Sequence, residues 1–243
     1  MTTLLVAHGT RNPHGVAVIG DLAHALGRRL HDDVRVGFVD VLGPDPAQAL
    51  ESIPGSDPVR VIPAFLAGGY HVHTDLPAYL ERSPRATLLT RPLGPDPLLA
   101  DAMVSRLLIA GWQPGDPVVL AAAGSRDPRA QADIATMGRL LSLRVGAPVR
   151  VGFVIPPADR SGFPSVPDAV ATLRRDCGAG RRIAVATYLL ADGLFARRLH
   201  ECGADVVAAP LGVHPAVLDL ACRRTHQVTE VVTTSISTAG HSD

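Results

Sequence analysis

Short apolar runs alternate with amphipathic stretches along all 243 residues. Thr3–His8, Val34–Val41, Pro58–Phe65 and Ala86–Thr90 read as strands in the first half. Pro117–Ala122, Val149–Ile155, Arg182–Leu189 and Ala204–Ala209 read as strands in the second. Most are near-continuous runs of Val, Leu, Ile and Ala, the pattern of strands buried on both faces. Helical stretches lie between them. Over Gly15–His31, the residues Val16, Ile19, Leu22, Ala23, Leu26 and Leu30 recur at three- and four-residue steps and share one face. Pro95–Gly111 and Arg129–Val145 read similarly, each opening near a proline and closing near a glycine. Such strand–helix alternation predicts parallel sheets covered by helices on both faces.

The pattern occurs twice. Ala7-His8-Gly9-Thr10-Arg11-Asn12-Pro13 returns as Ala122-Ala123-Gly124-Ser125-Arg126-Asp127-Pro128, and Arg35-Val36-Gly37-Phe38-Val39 returns unchanged as Arg150-Val151-Gly152-Phe153-Val154, both 115 positions on. Pro92-Leu93-Gly94 returns as Pro210-Leu211-Gly212, 118 positions on. Internal repetition at a fixed period is the mark of a duplicated unit. The expected fold is α/β: two homologous lobes, each a four-stranded, mostly parallel sheet flanked by helices, related by a pseudo-twofold axis. Residues 1–113 form the first lobe, 114–225 the second, and 226–243, rich in Thr and Ser without helical period, a flexible tail. A fused pair of this kind is expected to act as a monomer.

Composition narrows the function classes. Net charge is zero and pI is about 7.2, which gives neither nucleic acid nor an anionic membrane surface a reason to bind. No apolar stretch approaches the ~18–20 residues of a membrane span, and the N-terminus carries no leader pattern, so a cytoplasmic protein is expected. Cys177, Cys202 and Cys222 are odd in number and form no metal-ligand spacing, as free thiols in a reducing compartment would. All 23 basic residues are arginine, a bias of coding that also suits a polycarboxylate ligand.

In doubly wound sheets ligands bind beyond the carboxyl ends of the strands. That rule singles out His8 after the first strand, Asp40 after the second, and Gly68-Gly69-Tyr70-His71-Val72-His73 after the third. A lone histidine at a strand end is ordinarily a hydrogen-bonded structural residue. Here the duplicate carries Ala123 for His8, Ile155 for Asp40 and Leu194 for His71, so the scaffold does not require these side chains. Asp40 also fits a turn or helix-cap role. Arg11 persists as Arg126 and Thr10 as Ser125, which reads as a partly structural duty for both. Two imidazoles and a carboxylate are borderline ligands for Fe²⁺, Co²⁺, Ni²⁺ or Zn²⁺, and without a thiolate they should hold the ion exchangeably. The second repeat is expected to be chemically inert.

The strings Ala7-His8-Gly9-Thr10-Arg11, Phe38-Val39-Asp40 and Pro63-Ala64-Phe65-Leu66-Ala67-Gly68-Gly69-Tyr70-His71-Val72-His73-Thr74-Asp75-Leu76-Pro77 resemble the sirohydrochlorin chelatases, the ATP-independent class II tetrapyrrole chelatases. The resemblance spans roughly residues 1–225 and is closest to the long, internally duplicated, actinobacterial-type form. It implies insertion of Fe²⁺, or else Co²⁺ or Ni²⁺, into sirohydrochlorin in siroheme or cobalamin synthesis, with no permanently bound cofactor. It puts the metal on His8 and His71, with Asp40, one methylene shorter than the family's glutamate, as the third catalytic residue. Thr10, Arg11, Gly69, Tyr70 and His73 then contact the macrocycle. An imidazole, titrating ordinarily near about 6.5, suits removal of pyrrole protons. The chain has no P-loop and no dinucleotide fingerprint, no GxSxG elbow for an esterase, and no arginine just before His8 as RHG-type phosphatases have. The competing reading is a metal or tetrapyrrole carrier using the same pocket.

Overall fold

In the computed structural model, which describes residues 1–158, 162–178 and 180–232, both halves build the same sheet. β1 (Thr3–Ala7), β2 (Val34–Phe38), β3 (Val59–Pro63) and β4 (Thr87–Thr90) run parallel in the order β2-β1-β3-β4. β5 (Val118–Ala122), β6 (Val149–Phe153), β7 (Ala184–Tyr188) and β8 (Val206–Val207) repeat it as β6-β5-β7-β8. The register repeats too: Ala7 lies opposite Phe38 as Ala122 lies opposite Phe153. β1, β5 and β7 are buried along their whole length, which explains their unbroken apolar composition.

The helices are α1 (Pro13–Leu30), α2 (Pro46–Glu51), α3 (Leu76–Glu81), α4 (Pro97–Ile109), α5 (Pro128–Val145), α6 (Val166–Asp176), α7 (Leu194–Leu199) and α8 (Pro215–Arg224). Asn12, Asp45, Asp96, Asp127, Ser165 and His214 cap helix starts by accepting a backbone N–H, each followed at once or one residue later by proline. One apolar core lies between the first sheet and α2 and α3, through Leu4, Val6, Leu50, Leu76 and Leu80. A second lies between the other sheet and α6 and α7, through Val119, Val185, Val170 and Leu199. The third is shared, joining Leu5 and Ile62 of one lobe to Leu120 and Ala186 of the other through α1, α4, α5 and α8.

That shared core is built by exchange. α4, the last helix of the first repeat, packs on α5 and β7 of the second, and α8, the last of the second, packs on α1 of the first. Polar contacts repeat the exchange in both directions. Arg106 of α4 donates to Leu211 O at 2.9 Å, and Arg224 of α8, its counterpart 118 positions on, donates to Leu93 O at 2.9 Å. Arg144 pairs with Asp101 at 2.6 Å between α5 and α4, and Arg29 pairs with Asp219 between α1 and α8. Contacts that hold in both senses define a twofold interface, here fused into one chain.

The stretch after Thr225 departs from expectation. Val228–Val232 forms β9, which pairs antiparallel with β4, so the first sheet has five strands, not four. β4 would otherwise leave an open row of backbone donors and acceptors at the sheet edge, and the β-branched run Val228-Thr229 with Val231-Val232 suits the role. The rest of the expected tail, 233–243, lies outside the described residues. Among the described residues no helix is long and apolar enough to cross a membrane, and the three cysteines are free.

Arg224 is 3% exposed and Asp96 8%. The guanidinium reaches Asp96 Oδ2 at 3.2 Å, Pro92 O at 2.8 Å and Gln227 Oε1 at 2.6 Å. Arg223 still holds Asp96 Oδ1 at 2.8 Å when Arg224 is removed, but the Pro92 and Leu93 carbonyls lose this donor, so Arg224→Ala is expected to cost about 1–3 kcal/mol in urea unfolding. Arg144→Ala, on the exposed counterpart interface, should leave the midpoint nearly unchanged. His214 stands where the first repeat has Asp96 and caps α8 by accepting from Ala216 N at 3.2 Å, which requires an unprotonated Nδ1. Burial, and then the Arg106 charge, lower its pKa. A lowered folded value means that the unfolded chain takes up the proton first. The cap's contribution should therefore be full above the unfolded value of about 6.5 and be lost as pH falls through the folded one. Thermal melts across that range should show the loss, and His214→Asn should flatten it.

Candidate functional site

The order β2-β1-β3-β4 sends the chain to opposite sides of β1 and β3 and opens a crevice at their carboxyl ends. His8 leaves β1 directly into that crevice. Its carbonyl accepts from Asp40 N at 3.0 Å, which continues the β1–β2 ladder past the last strand residues. Gly9, with φ +97°, follows because a Cβ there would run into the carbonyl oxygen of Asp40. Gly124, with φ +123°, meets Ile155 in the same way in the second lobe.

His71 opens a π-helical turn, His71–Asp75, that continues into α3. Pro77 lacks the N–H that an α-helix would direct to His73 O, and Leu76 N instead reaches back to His71 O. The turn brings His71 against His8, with ring centroids 4.6 Å apart and planes at 86°. Two imidazoles bound to one ion through nitrogens at about 2.0–2.1 Å place their centroids roughly 4.5–5.5 Å apart. His71 Nδ1 lies 2.7 Å from Asp75 Oδ2, and His8 Nδ1 3.2 Å from Gly9 O. A carboxylate and a carbonyl only accept, so each contact puts the ring proton on Nδ1 and leaves Nε2 as the open lone pair. This is the usual outer support of a metal-binding histidine.

Asp75 is the residue missed from sequence. It sits four positions after His71, a spacing that brings side chains together on any helical turn. Asp40 is not brought to the histidines by any hydrogen bond among the described residues. Its Oδ1 accepts from Val41 N at 2.7 Å, and the next helix is capped by Asp45. The carboxylate in contact with an imidazole of the pair is Asp75, on His71. Among the described residues no three His, Cys, Asp or Glu side chains gather into a metal cage, so any ion here rests on the histidine pair and on what it is passed to.

The remaining candidates divide between scaffold and surface. Thr10 Oγ1 accepts from Asn12 N at 3.2 Å, and Ser125 Oγ accepts from Asp127 N at 3.1 Å, so the repeated hydroxyl shapes the same turn twice. Arg11 is exposed and has no hydrogen-bond or ion-pair partner among the described residues, which corrects the structural reading of its repetition. Tyr70 is 58% exposed, its ring 6.1 Å from that of His71. Gly69 lies against Ala130 of α5, and His73 packs over Gly68, where a Cβ would come within 2.8 Å of Nε2.

The second lobe grips this loop. Gly68 N donates to Asp133 Oδ2 at 2.8 Å, and the buried Tyr188 hydroxyl donates to Leu66 O at 2.6 Å. Burial raises the Tyr188 pKa well above its ordinary value, which keeps the hydroxyl a donor. Between Tyr70 and the second lobe's Ser125–Arg129 turn lies an open cleft of about 750 Å³.

A family model described as CbiX matches residues 2–110 and, a second time, 117–228. The chain belongs to the CbiX family. The two matches restate the duplication seen in the sheets. This CbiX family member is 30% identical over 120 residues to the sirohydrochlorin cobaltochelatase of Methanosarcina barkeri, across 43% of this chain and 92% of the relative. It is 28% identical over 122 residues to that of Methanococcoides burtonii, with the same coverage. Such relatives are about one repeat long. Among solved structures it resembles SirB from Bacillus subtilis with Fe³⁺, at TM-score 0.78 and 20% identity, covering 93% of this chain and 94% of that one. The sirohydrochlorin chelatase SirB from Bacillus subtilis subspecies spizizenii in complex with cobalt aligns at TM-score 0.69 and 20% identity, covering 93% of each chain. At that identity the likeness establishes the fold.

If the pair binds metal through Nε2, Co²⁺ titration calorimetry should show His8→Ala and His71→Ala each abolishing the site. Asp75→Ala should weaken it about 10–100-fold while leaving the melting curve close to that of the parent protein.

Proposed function

We propose that this CbiX family member inserts a divalent metal, Fe²⁺ or alternatively Co²⁺, into sirohydrochlorin or a closely related polycarboxylate tetrapyrrole. The observation that carries the proposal is the histidine pair, 4.6 Å between centroids, with both Nδ1 atoms tied back and no hydrogen bond to either Nε2 among the described residues. The curated relatives' activity and the actinobacterial-type phrase Val39-Asp40-Val41-Leu42-Gly43-Pro44 support the same reading.

Insertion exchanges one M²⁺ for two pyrrole N–H protons. His8 and His71 hold the ion at Nε2. As each pyrrole nitrogen takes over the metal, the Nε2 lone pair it displaces is free to receive the departing proton. Two imidazoles thus match two protons, and Asp75 holds the His71 ring in place through the 2.7 Å contact. An ion held by two neutral nitrogens and no thiolate is loosely held, as a metal in transit must be. Asp40 acts mainly through its backbone, whose N–H holds the His8 carbonyl at 3.0 Å. Tyr70 offers an exposed ring to the macrocycle face, Arg11 a free fork to a substrate carboxylate, and Thr10, Gly69 and His73 line the approach. No part of this requires a nucleotide. The shared core stands in for a subunit interface, so the protein works as a monomer, and its three free thiols fit the cytoplasm.

The decisive assay follows the macrocycle's absorption under steady state with Fe²⁺ or Co²⁺ at matched free concentrations. Many turnovers per protein above the buffer rate are expected, whereas stoichiometric binding without acceleration would leave a carrier. His8→Ala and His71→Ala should each lower kcat by about 10²–10⁴-fold, and Ser125→Ala by less than about twofold.

A further inference from the structure

We infer that Arg126, on the repeat that lacks the histidines, binds a peripheral carboxylate of the same ligand, so that the second lobe contributes to substrate selection. This rests on the proposed function and adds a residue to it. The cleft beside the histidine pair is walled on one side by Tyr70 and on the other by Ser125, Arg126, Asp127, Pro128 and Arg129. Its polar groups are nearly all engaged within the protein. Asp127 holds Arg129 through contacts of 2.9 and 3.2 Å and caps α5 through Arg129 N at 2.9 Å. Ser125 Oγ accepts from Asp127 N, and Ser125 O accepts from Gln131 Nε2 at 2.9 Å. Asp133, next along α5, accepts from Gly68 N. Arg126 is exposed and has no hydrogen-bond or ion-pair partner among the described residues.

Among the residues lining this wall Arg126 is the guanidinium without a carboxylate partner, because Asp127 is paired with Arg129. A planar fork with five donors matches a carboxylate in two-point fashion. It stands across the cleft from an exposed aromatic ring whose centroid is 6.1 Å from that of His71. A flat, rigid ligand lying on Tyr70 with its centre at the histidines would carry its edge toward Arg126. A tetrapyrrole bearing carboxylates around its rim has such an edge, and an uncharged macrocycle does not. Persistence of the arginine in both repeats has no structural explanation in either one, since Arg11 is equally unpartnered.

The test uses the full chain and metal-free titrations that follow tetrapyrrole fluorescence. With sirohydrochlorin, Arg126→Ala should raise Kd about tenfold or more and make log Kd less sensitive to salt, while Arg126→Lys recovers part of the loss. Metal insertion at saturating sirohydrochlorin should keep kcat within about twofold, with the defect in KM, because the residue binds ground and transition states alike. The methyl ester of sirohydrochlorin, with its carboxylates masked, should bind wild type and Arg126→Ala equally. Arg139→Ala, an exposed change elsewhere on α5, should alter nothing. Wild-type binding of sirohydrochlorin that Arg126→Ala leaves unchanged would overturn this inference and spare the proposed function. Failure of the wild-type protein to bind sirohydrochlorin at all would overturn both.

Discussion

α4 and α8 each bury their apolar residues against the repeat to which they do not belong. Leu99, Met103 and Leu107 of α4 and Val217 and Leu220 of α8 are within 1% of full burial, and they belong to the core that both sheets share. A separated repeat would expose this surface and lose one wall of its own sheet, so neither half has a complete interior alone. Arg106 and Arg224 reinforce the constraint by reaching the other repeat's Pro-Leu-Gly turn, where carbonyls would otherwise be buried without a donor. The hold on the His71 loop and the cleft beside Tyr70 depend on this exchange, because both need the second lobe in place.

The exchange also gives the second lobe its role. A scaffold that had lost its chemistry need only fill space, yet Asp133 and Tyr188 each hold the backbone of the loop that ends in His71. The Tyr188 hydroxyl reaches a carbonyl from inside the core, where an unpaired oxygen would be costly. The second repeat thus has a positioning duty. Its side chains fix where the first repeat's histidine loop can sit.

Much of this was legible in the sequence because the determining forces were local or repeated. Buried parallel strands need continuous apolar runs, and the boundaries of β1, β5 and β6 fall within two residues of those runs. His8 and His71 were legible through strand-end position and their loss in the copy. What was hidden depends on tertiary placement. Nothing in Pro97–Ile109 says which sheet it will cover, because an apolar face specifies burial and not a partner. Val228–Val232 lacks a helical period, which reads as a free tail unless the open edge of β4 is known. Asp75 was overlooked because its importance comes from a π-helical turn forced around Pro77, and Asp40 drew attention through a position whose carboxylate serves its own turn.

The two repeats, compared residue by residue, separate what the backbone demands from what it does not. Gly9 and Gly124 are both fixed by a carbonyl that leaves no room for a side chain. Thr10 and Ser125 both close a turn with a hydroxyl. These survive duplication because the fold needs them twice. His8, Asp40 and His71 correspond to Ala123, Ile155 and Leu194, and the last two are apolar side chains 42% and 56% exposed. One lobe thus presents imidazole nitrogens where the other presents exposed hydrocarbon. Arg11 and Arg126 follow neither pattern, being kept in both copies with no partner in either. A residue retained without a structural duty is best explained by something the protein binds, and a guanidinium on each repeat supports a ligand that carries negative charge on more than one side.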